Sequence, residues 1–72
     1  MEKSKIIGYR ELTQEEIDLM NVIKAAGIDF SELVATLQEH PETDKRWVSI
    51  GRTHLQEGLM ALTRAVARPT FF

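Results

Sequence analysis

The sequence predicts an all-α fold, an antiparallel hairpin of two long helices that must associate with further copies of itself. Three observations lead there. Apolar residues recur at helical spacing along two stretches, from Ile17 to Leu37 and from Val48 to Val66. A short polar connection around Pro41 separates the two, and a short link between long helices leaves them antiparallel. The chain has 72 residues and no Cys, so neither a disulfide nor a thiolate-bound zinc can reinforce so small a core. Oligomerisation is the reinforcement left.

The expected elements are an N-terminal arm over residues 1–12, helix 1 over about 14–39, a connection at 40–44, helix 2 over about 45–67 and a tail at 68–72, together one hairpin domain. Residues 1–10 hold Lys3, Lys5 and Arg10 against Glu2, and the arm contains neither a signal-peptide core nor, like the rest of the chain, an apolar run of membrane-spanning length. A cytosolic protein is expected.

Helix 1 starts at Leu12-Thr13-Gln14-Glu15-Glu16-Ile17. Thr13 can accept from the amide of Glu16, Glu16 can reach back to the amide of Thr13, and Leu12 can staple against Ile17. Ile17, Met20, Ile23, Gly27, Phe30, Val34 and Leu37 then form the stripe. An interior Gly costs about 1 kcal/mol relative to Ala, so Gly27 is where the helix would bend or break. The stripe keeps its phase across it, which favours one helix ending before Pro41. In the connection, Thr43 or Asp44 can cap helix 2. Val48, Gly51, Leu55, Leu59, Leu62 and Val66 form the second stripe, widened by Trp47, Ile50, Ala61 and Ala65, and Gly51 and Gly58 leave room for another backbone. Arg68-Pro69 stops the helix. Phe71 and Phe72 are poorly placed for a two-helix core, so a neighbouring subunit is their expected cover.

Composition narrows function. With 43% hydrophobic and 28% charged residues the chain is built to fold. The net charge of −2 divides into +2 over residues 1–10, −8 over 11–44 and +4 over 45–72. No large basic field is available for duplex DNA, whereas a small anion held by a few local cations is compatible with this pattern. Catalysis by a nucleophile needs a base beside it, and neither Ser31 nor Ser49 stands in a strand-turn-helix context that would expose it. Glu15 with Glu16, and Glu39 with Glu42, read as helix-end and solvated acids. His54 and Glu57 share a helix face, but two ligands do not make a metal site. No Gly-rich phosphate loop is present. The chain is expected to be no enzyme and to use no cofactor and no metal.

Three features remain as binding candidates. Gly8-Tyr9-Arg10 sets an aromatic face beside cations, suited to stacking on a base and neutralising a phosphate, or equally to packing over the hairpin with Arg10 paired to an acid. Lys24 is the sole base within residues 11–44 and suits a specific anion. Ser49, Arg52, Thr53, Gln56, Thr63 and Arg64 form a polar stripe on helix 2, either a solvated face or a second site, and Met60 within it points to cover by a partner.

The strings Gly8-Tyr9-Arg10-Glu11-Leu12-Thr13 and Glu16-Ile17-Asp18-Leu19-Met20-Asn21, with Ile23-Lys24, resemble the small phage proteins that sequester cyclic oligonucleotide messengers and block CBASS immunity. Arg46-Trp47, Ile50-Gly51-Arg52-Thr53, Leu55-Gln56, Gly58, Met60-Ala61-Leu62 and Arg64-Ala65-Val66 look like the second half of that family's hairpin domain, which is shared with sponges that block Thoeris immunity. The resemblance covers residues 8 to about 70. It implies an intertwined homo-oligomer, typically a hexamer, that binds cyclic dinucleotides between subunits, leaves them uncleaved and acts in the cytoplasm of the infected bacterial host. It implies that Tyr9 stacks on a base and Lys24 meets a phosphate or base edge, and that Arg52, Thr53 and Gln56 form a separate site for cyclic trinucleotides. Ala26 and Gly27 stand where some relatives carry a hydroxyl residue. Three readings follow: a cyclic-nucleotide sponge, with a cyclic ADP-ribose type of Thoeris signal as the alternative ligand; a hairpin acting only in protein association; and a helix-turn-helix DNA binder, which the acidic connection and long helices disfavour.

Overall fold

A computed structural model describes residues 10–70. Tyr9, Phe71 and Phe72 lie outside the described residues. Two helices, α1 (Gln14–Glu39) and α2 (Lys45–Ala67), pack on each other as an antiparallel hairpin, so the first turn of α1 meets the residue that follows α2. The described chain is a rod of 52 × 23 × 21 Å.

Each helix begins on a side-chain cap. Thr13 is extended, its hydroxyl accepts from the Glu16 amide at 3.2 Å, and Glu16 Oε1 accepts from the Thr13 amide at 2.9 Å, completing the reciprocal pair read from the sequence. Of the two candidates for capping α2, Asp44 takes the role, its Oδ1 accepting from the amides of Arg46 and Trp47 at 3.0 and 3.2 Å. Thr43 turns the other way. Its hydroxyl donates to the Leu37 carbonyl, and the Lys45 ammonium donates to Thr43 Oγ1 at 2.6 Å and to the His40 carbonyl. The last turn of α1, which leaves carbonyls without helical partners, is closed this way by the connection itself.

Gly27 neither breaks nor ends α1, which runs unbroken through it. A Cβ built there would stand 3.4 Å from Leu59 Cδ1, so at this Gly the α1 backbone lies against a side chain of α2. Gly51 and Gly58 have nothing within 4 Å of where a Cβ would stand. The backbone they could admit is not that of α1. At its far end α2 stops at Arg68, which adopts the left-handed conformation (φ 42°, ψ 61°) while its amide donates to the Arg64 carbonyl at 2.8 Å. Pro69 then forbids continuation.

Among the described residues only Val34 and Ala67 are buried. Met60 is 70% exposed, Val22 65%, Trp47 63% and Ile28 62%, so the hairpin covers only a seam of its two apolar faces.

Removing the Asp44 carboxylate leaves two amides of the first turn of α2 without a side-chain acceptor. Asp44→Ala is expected to cost about 1 kcal/mol, read as a lower urea midpoint than that of the parent protein at matched protein concentration.

Candidate functional site

Gly27 and Leu59 form a shared wall between two grooves that follow one another along one flank of the seam. On α2 that flank is marked by Gln56, Met60 and Thr63, spaced by single helical turns.

The groove toward the chain ends measures about 780 Å³, within the range of roughly 300–1,000 Å³ common for small-ligand sites. Among the described residues, Met20, Ile23, Leu59 and Met60 give it an apolar lining, Arg10, Lys24 and Arg64 supply three cations, and no acid lines it. Thr63 also faces it, with its hydroxyl donating to the Leu59 carbonyl at 2.8 Å. An apolar floor bordered by cations suits a ligand with flat rings and anionic linkages.

Arg10 is held by both helices. Its Nη1 donates to Glu16 Oε1 at 2.9 Å, its Nη2 donates to Glu16 Oε2, and Nη2 also reaches the Val66 carbonyl at 3.1 Å. Arg68 Nη2 donates to the same Glu16 Oε2 at 3.2 Å. The Arg10 hydrogen bond and the Thr13 amide, with smaller help from the Thr13 hydroxyl and Arg68, hold the Glu16 carboxyl well below the usual carboxylate range, against the opposing effect of desolvation. The same hydrogen bond raises the Arg10 pKa further. Arg10 pairs with an acid, as one of its two sequence readings has it, and also borders the groove.

The second groove, about 280 Å³, brings Arg52 and Gln56 together with Ser31 and Gln38 of α1. Thr53 lines neither groove, and its hydroxyl donates to the Ser49 carbonyl at 3.2 Å. Lys24 is thus separated from Arg52 and Gln56 by the Gly27–Leu59 wall. A third groove of about 380 Å³, nearly all apolar, is lined by Leu33, Leu37, Trp47, Val48 and Gly51.

Tyr9 is outside the described residues, but the next residue, Arg10, borders the same groove as Lys24. Arg64 and Met60, read from the sequence as part of a polar stripe, border it too. Of the two α1 residues in the second groove, the sequence singles out Ser31 only as a nucleophile candidate that is set aside, and it does not single out Gln38. The pairing of the helices is what assigns them, and it could have been counted: Gly27 and Leu59 lie equally far from Thr43 along the chain. His54 and Glu57 lie on the exposed surface, with Nδ1 and Oε1 3.7 Å apart, and no group of three metal-ligating side chains occurs among the described residues.

Residues 1–67 match the family model of the Acb2/Tad1 hairpin domain. Anti-CBASS protein 2 of Pseudomonas phage JBD67 is 35% identical over 99 aligned residues, covering 90% of this chain and 92% of the relative. The aligned stretch is longer than this chain, so the relative carries residues that this chain lacks.

Because the Glu16 carboxyl is depressed in the folded state, the stability it supplies is fully present above the unfolded carboxylate pKa of about 4.3 and is lost as pH falls through that value toward the folded one. The stability difference between the parent protein and Glu16→Gln is expected to stay constant between about pH 6 and 8 and to shrink below about pH 4.3. Urea unfolding across a pH series measures it.

Proposed function

The chain belongs to the family of the Acb2/Tad1 hairpin domain, and on that premise we propose that it is a phage anti-defence protein that binds and sequesters cyclic oligonucleotide second messengers without cleaving them. The messengers are withheld from CBASS effectors in the cytoplasm of the infected bacterial host. Among the described residues, no helix is long and apolar enough to cross a membrane.

The observation that carries this reading is the placement of Lys24 on the same apolar, cation-bordered groove as Arg10, the residue next to Tyr9. Tyr9 supplies a ring for base stacking and Lys24 a charge-assisted contact to a phosphate or base edge of a cyclic dinucleotide. The side chains that line this groove are cations, aliphatic groups, thioethers and one hydroxyl already donating to a carbonyl, a set suited to holding a ligand. Arg52 and Gln56, with Thr53 beside them, form a separate site where symmetry-related copies converge on a larger ring such as a cyclic trinucleotide.

The protein works as an intertwined homo-oligomer, a hexamer, with ligands held between subunits. The exposed apolar side chains of both helices support association, since one hairpin leaves Val22, Ile28, Trp47, Met60 and Leu62 in water. Burying an unpaired charge in this assembly is costly. Leu55→Asp is expected to dissociate or unfold it, and sedimentation at micromolar concentration should find the parent protein far heavier than 8.2 kDa. A folded 8.2 kDa particle would sink the assembly.

Base stacking contributes about 1–3 kcal/mol per base in single-strand readers and a hydrogen bond to a charged group about 1.5–3 kcal/mol. Tyr9→Ala or Lys24→Ala is therefore expected to weaken cyclic dinucleotide binding about tenfold or more and to spare cyclic trinucleotides, and Arg52→Ala should do the reverse. Calorimetry against a panel of cyclic dinucleotides, cyclic trinucleotides and a cyclic ADP-ribose compound tests this, with heat release and chromatography checking that each ligand is recovered intact. Equal loss of both nucleotide classes in all three assembled variants would leave a single shared site. Tight binding of the cyclic ADP-ribose compound alone would assign the protein to a Thoeris signal.

A further inference from the structure

Two of the chain's three glutamines, Gln38 and Gln56, border the second groove beside Arg52. Gln14, the third, already donates to Asp18 Oδ1 at 2.9 Å. The hydroxyls of Thr36, Thr53 and Thr63 each donate to the carbonyl one turn back, at 3.0, 3.2 and 2.8 Å. Gln38, Gln56 and Arg52 differ: among the described residues their side chains make no hydrogen bond or ion pair within the chain. Phe30 and Leu55 give the same groove apolar walls, and among the described residues no acid lines it. A few unpaired polar groups on an apolar wall are the make-up of a site that orients a ligand.

We infer that Gln38 is a specificity-determining residue of this groove: its side-chain amide pairs with the edge of one adenine of a cyclic trinucleotide while Arg52 meets the adjoining phosphate. The inference rests on the reading of Arg52 and Gln56 as the trinucleotide site, and it adds a residue of α1 to a site whose proposed ligand residues all lie on α2. The groove's volume of about 280 Å³ is just below the roughly 300 Å³ at which sites for whole small ligands begin, so one base enters and the rest of the ring stays outside. Counting from the Gly27–Leu59 contact toward the connection places Val34 level with Arg52, and Gln38 follows one turn further along α1. The two side chains therefore leave their helices about 5.4 Å apart along the seam, within the reach of a single nucleotide.

The chemistry of the lining selects the base. A primary amide both accepts and donates, which matches the amino donor and ring-nitrogen acceptor that adenine presents side by side. A carboxylate, which accepts only, suits the cytosine amino group, and an arginine fork suits guanine. No carboxylate lines the groove among the described residues, and its one cation, Arg52, is engaged by the phosphate. Apolar walls serve the faces of the base, so the amide is left to read its edge.

The test measures by calorimetry how the parent protein and Gln38→Leu bind cyclic tri-AMP and the same ring with hydrogen in place of each adenine amino group. The parent is expected to prefer cyclic tri-AMP about tenfold, as for a bidentate amide–adenine pair. Gln38→Leu, which keeps the bulk and loses the amide, should bind the two rings within about twofold of each other. Cyclic GMP–AMP, assigned to the groove bordered by Lys24, should bind both proteins alike, and their sedimentation coefficients should match. Equal binding of both rings by the parent, an undiminished preference in Gln38→Leu, or a loss of cyclic GMP–AMP binding in that variant overturns the inference. Arg52→Ala measured alongside separates the two levels. If it holds cyclic tri-AMP as tightly as the parent, or if the parent does not bind that ring, the reading of the trinucleotide site fails and the inference with it. If Arg52→Ala weakens binding while Gln38→Leu keeps the preference, only the role of Gln38 fails. Should Gln38→Leu dissociate the assembly, Gln38→Ala takes its place and the same outcomes decide.

Discussion

Two helices side by side share one seam, and an apolar stripe wider than a seam stays partly in water. The rest of this molecule follows from that constraint. Val34 and Ala67 are the buried residues of the described chain, while Trp47, Leu62 and Met60 stand outside the seam. The same geometry that prevents a closed core leaves three grooves along the seam, each with at least one cation at its border. Where a larger protein would fill such grooves with its own side chains, this one leaves them open.

The antiparallel arrangement also brings together helix ends of opposite polarity. The start of α1 carries the positive end of its dipole and the end of α2 the negative end of its own. Glu16 sits in the first turn of α1, and the Arg10 guanidinium meets the Val66 carbonyl in the last turn of α2, so each of these charges meets the dipole end it favours. Both arginines also pair directly with the Glu16 carboxylate. Helix capping, attachment of the arm and closure of the hairpin's open end are therefore met by one cluster rather than by three separate contacts.

Much of this architecture was legible in the residues. Apolar periodicity identified both helices, and the Thr13–Glu16 pair identified the start of the first, because a capping box is a local arrangement that does not depend on what packs around it. The cap of α2 was less legible, since Thr43 and Asp44 can each serve and the choice depends on where Thr43 finds a carbonyl in the preceding helix. At Gly27 the sequence allowed a bend or a continuous helix, and the close approach of Leu59 accompanies the continuous one. The grooves were legible only in part. Lys24 stood out as a lone cation in an acidic stretch, but its neighbours Arg64 and Met60 come from α2, and periodicity along one helix does not say which residues of the other it faces. Arg52 and Gln56, one turn apart on α2, border one groove while Thr53 does not, and nothing in the sequence joins Ser31 and Gln38 to them until the helices are paired.

Arg68 shows where two demands meet at one residue. Its backbone lies in the left-handed region, where glycine is at ease and a residue with a Cβ is not. Its side chain belongs to the Glu16 cluster, where a guanidinium is useful and glycine offers nothing. Glycine would relax the main chain and abandon the pairing, and lysine would keep the charge, lose the fork and retain the strained backbone. An engineer seeking to stiffen this corner of the molecule would find that no single substitution at this position improves both, and would have to look to Pro69 or to the carboxylate instead.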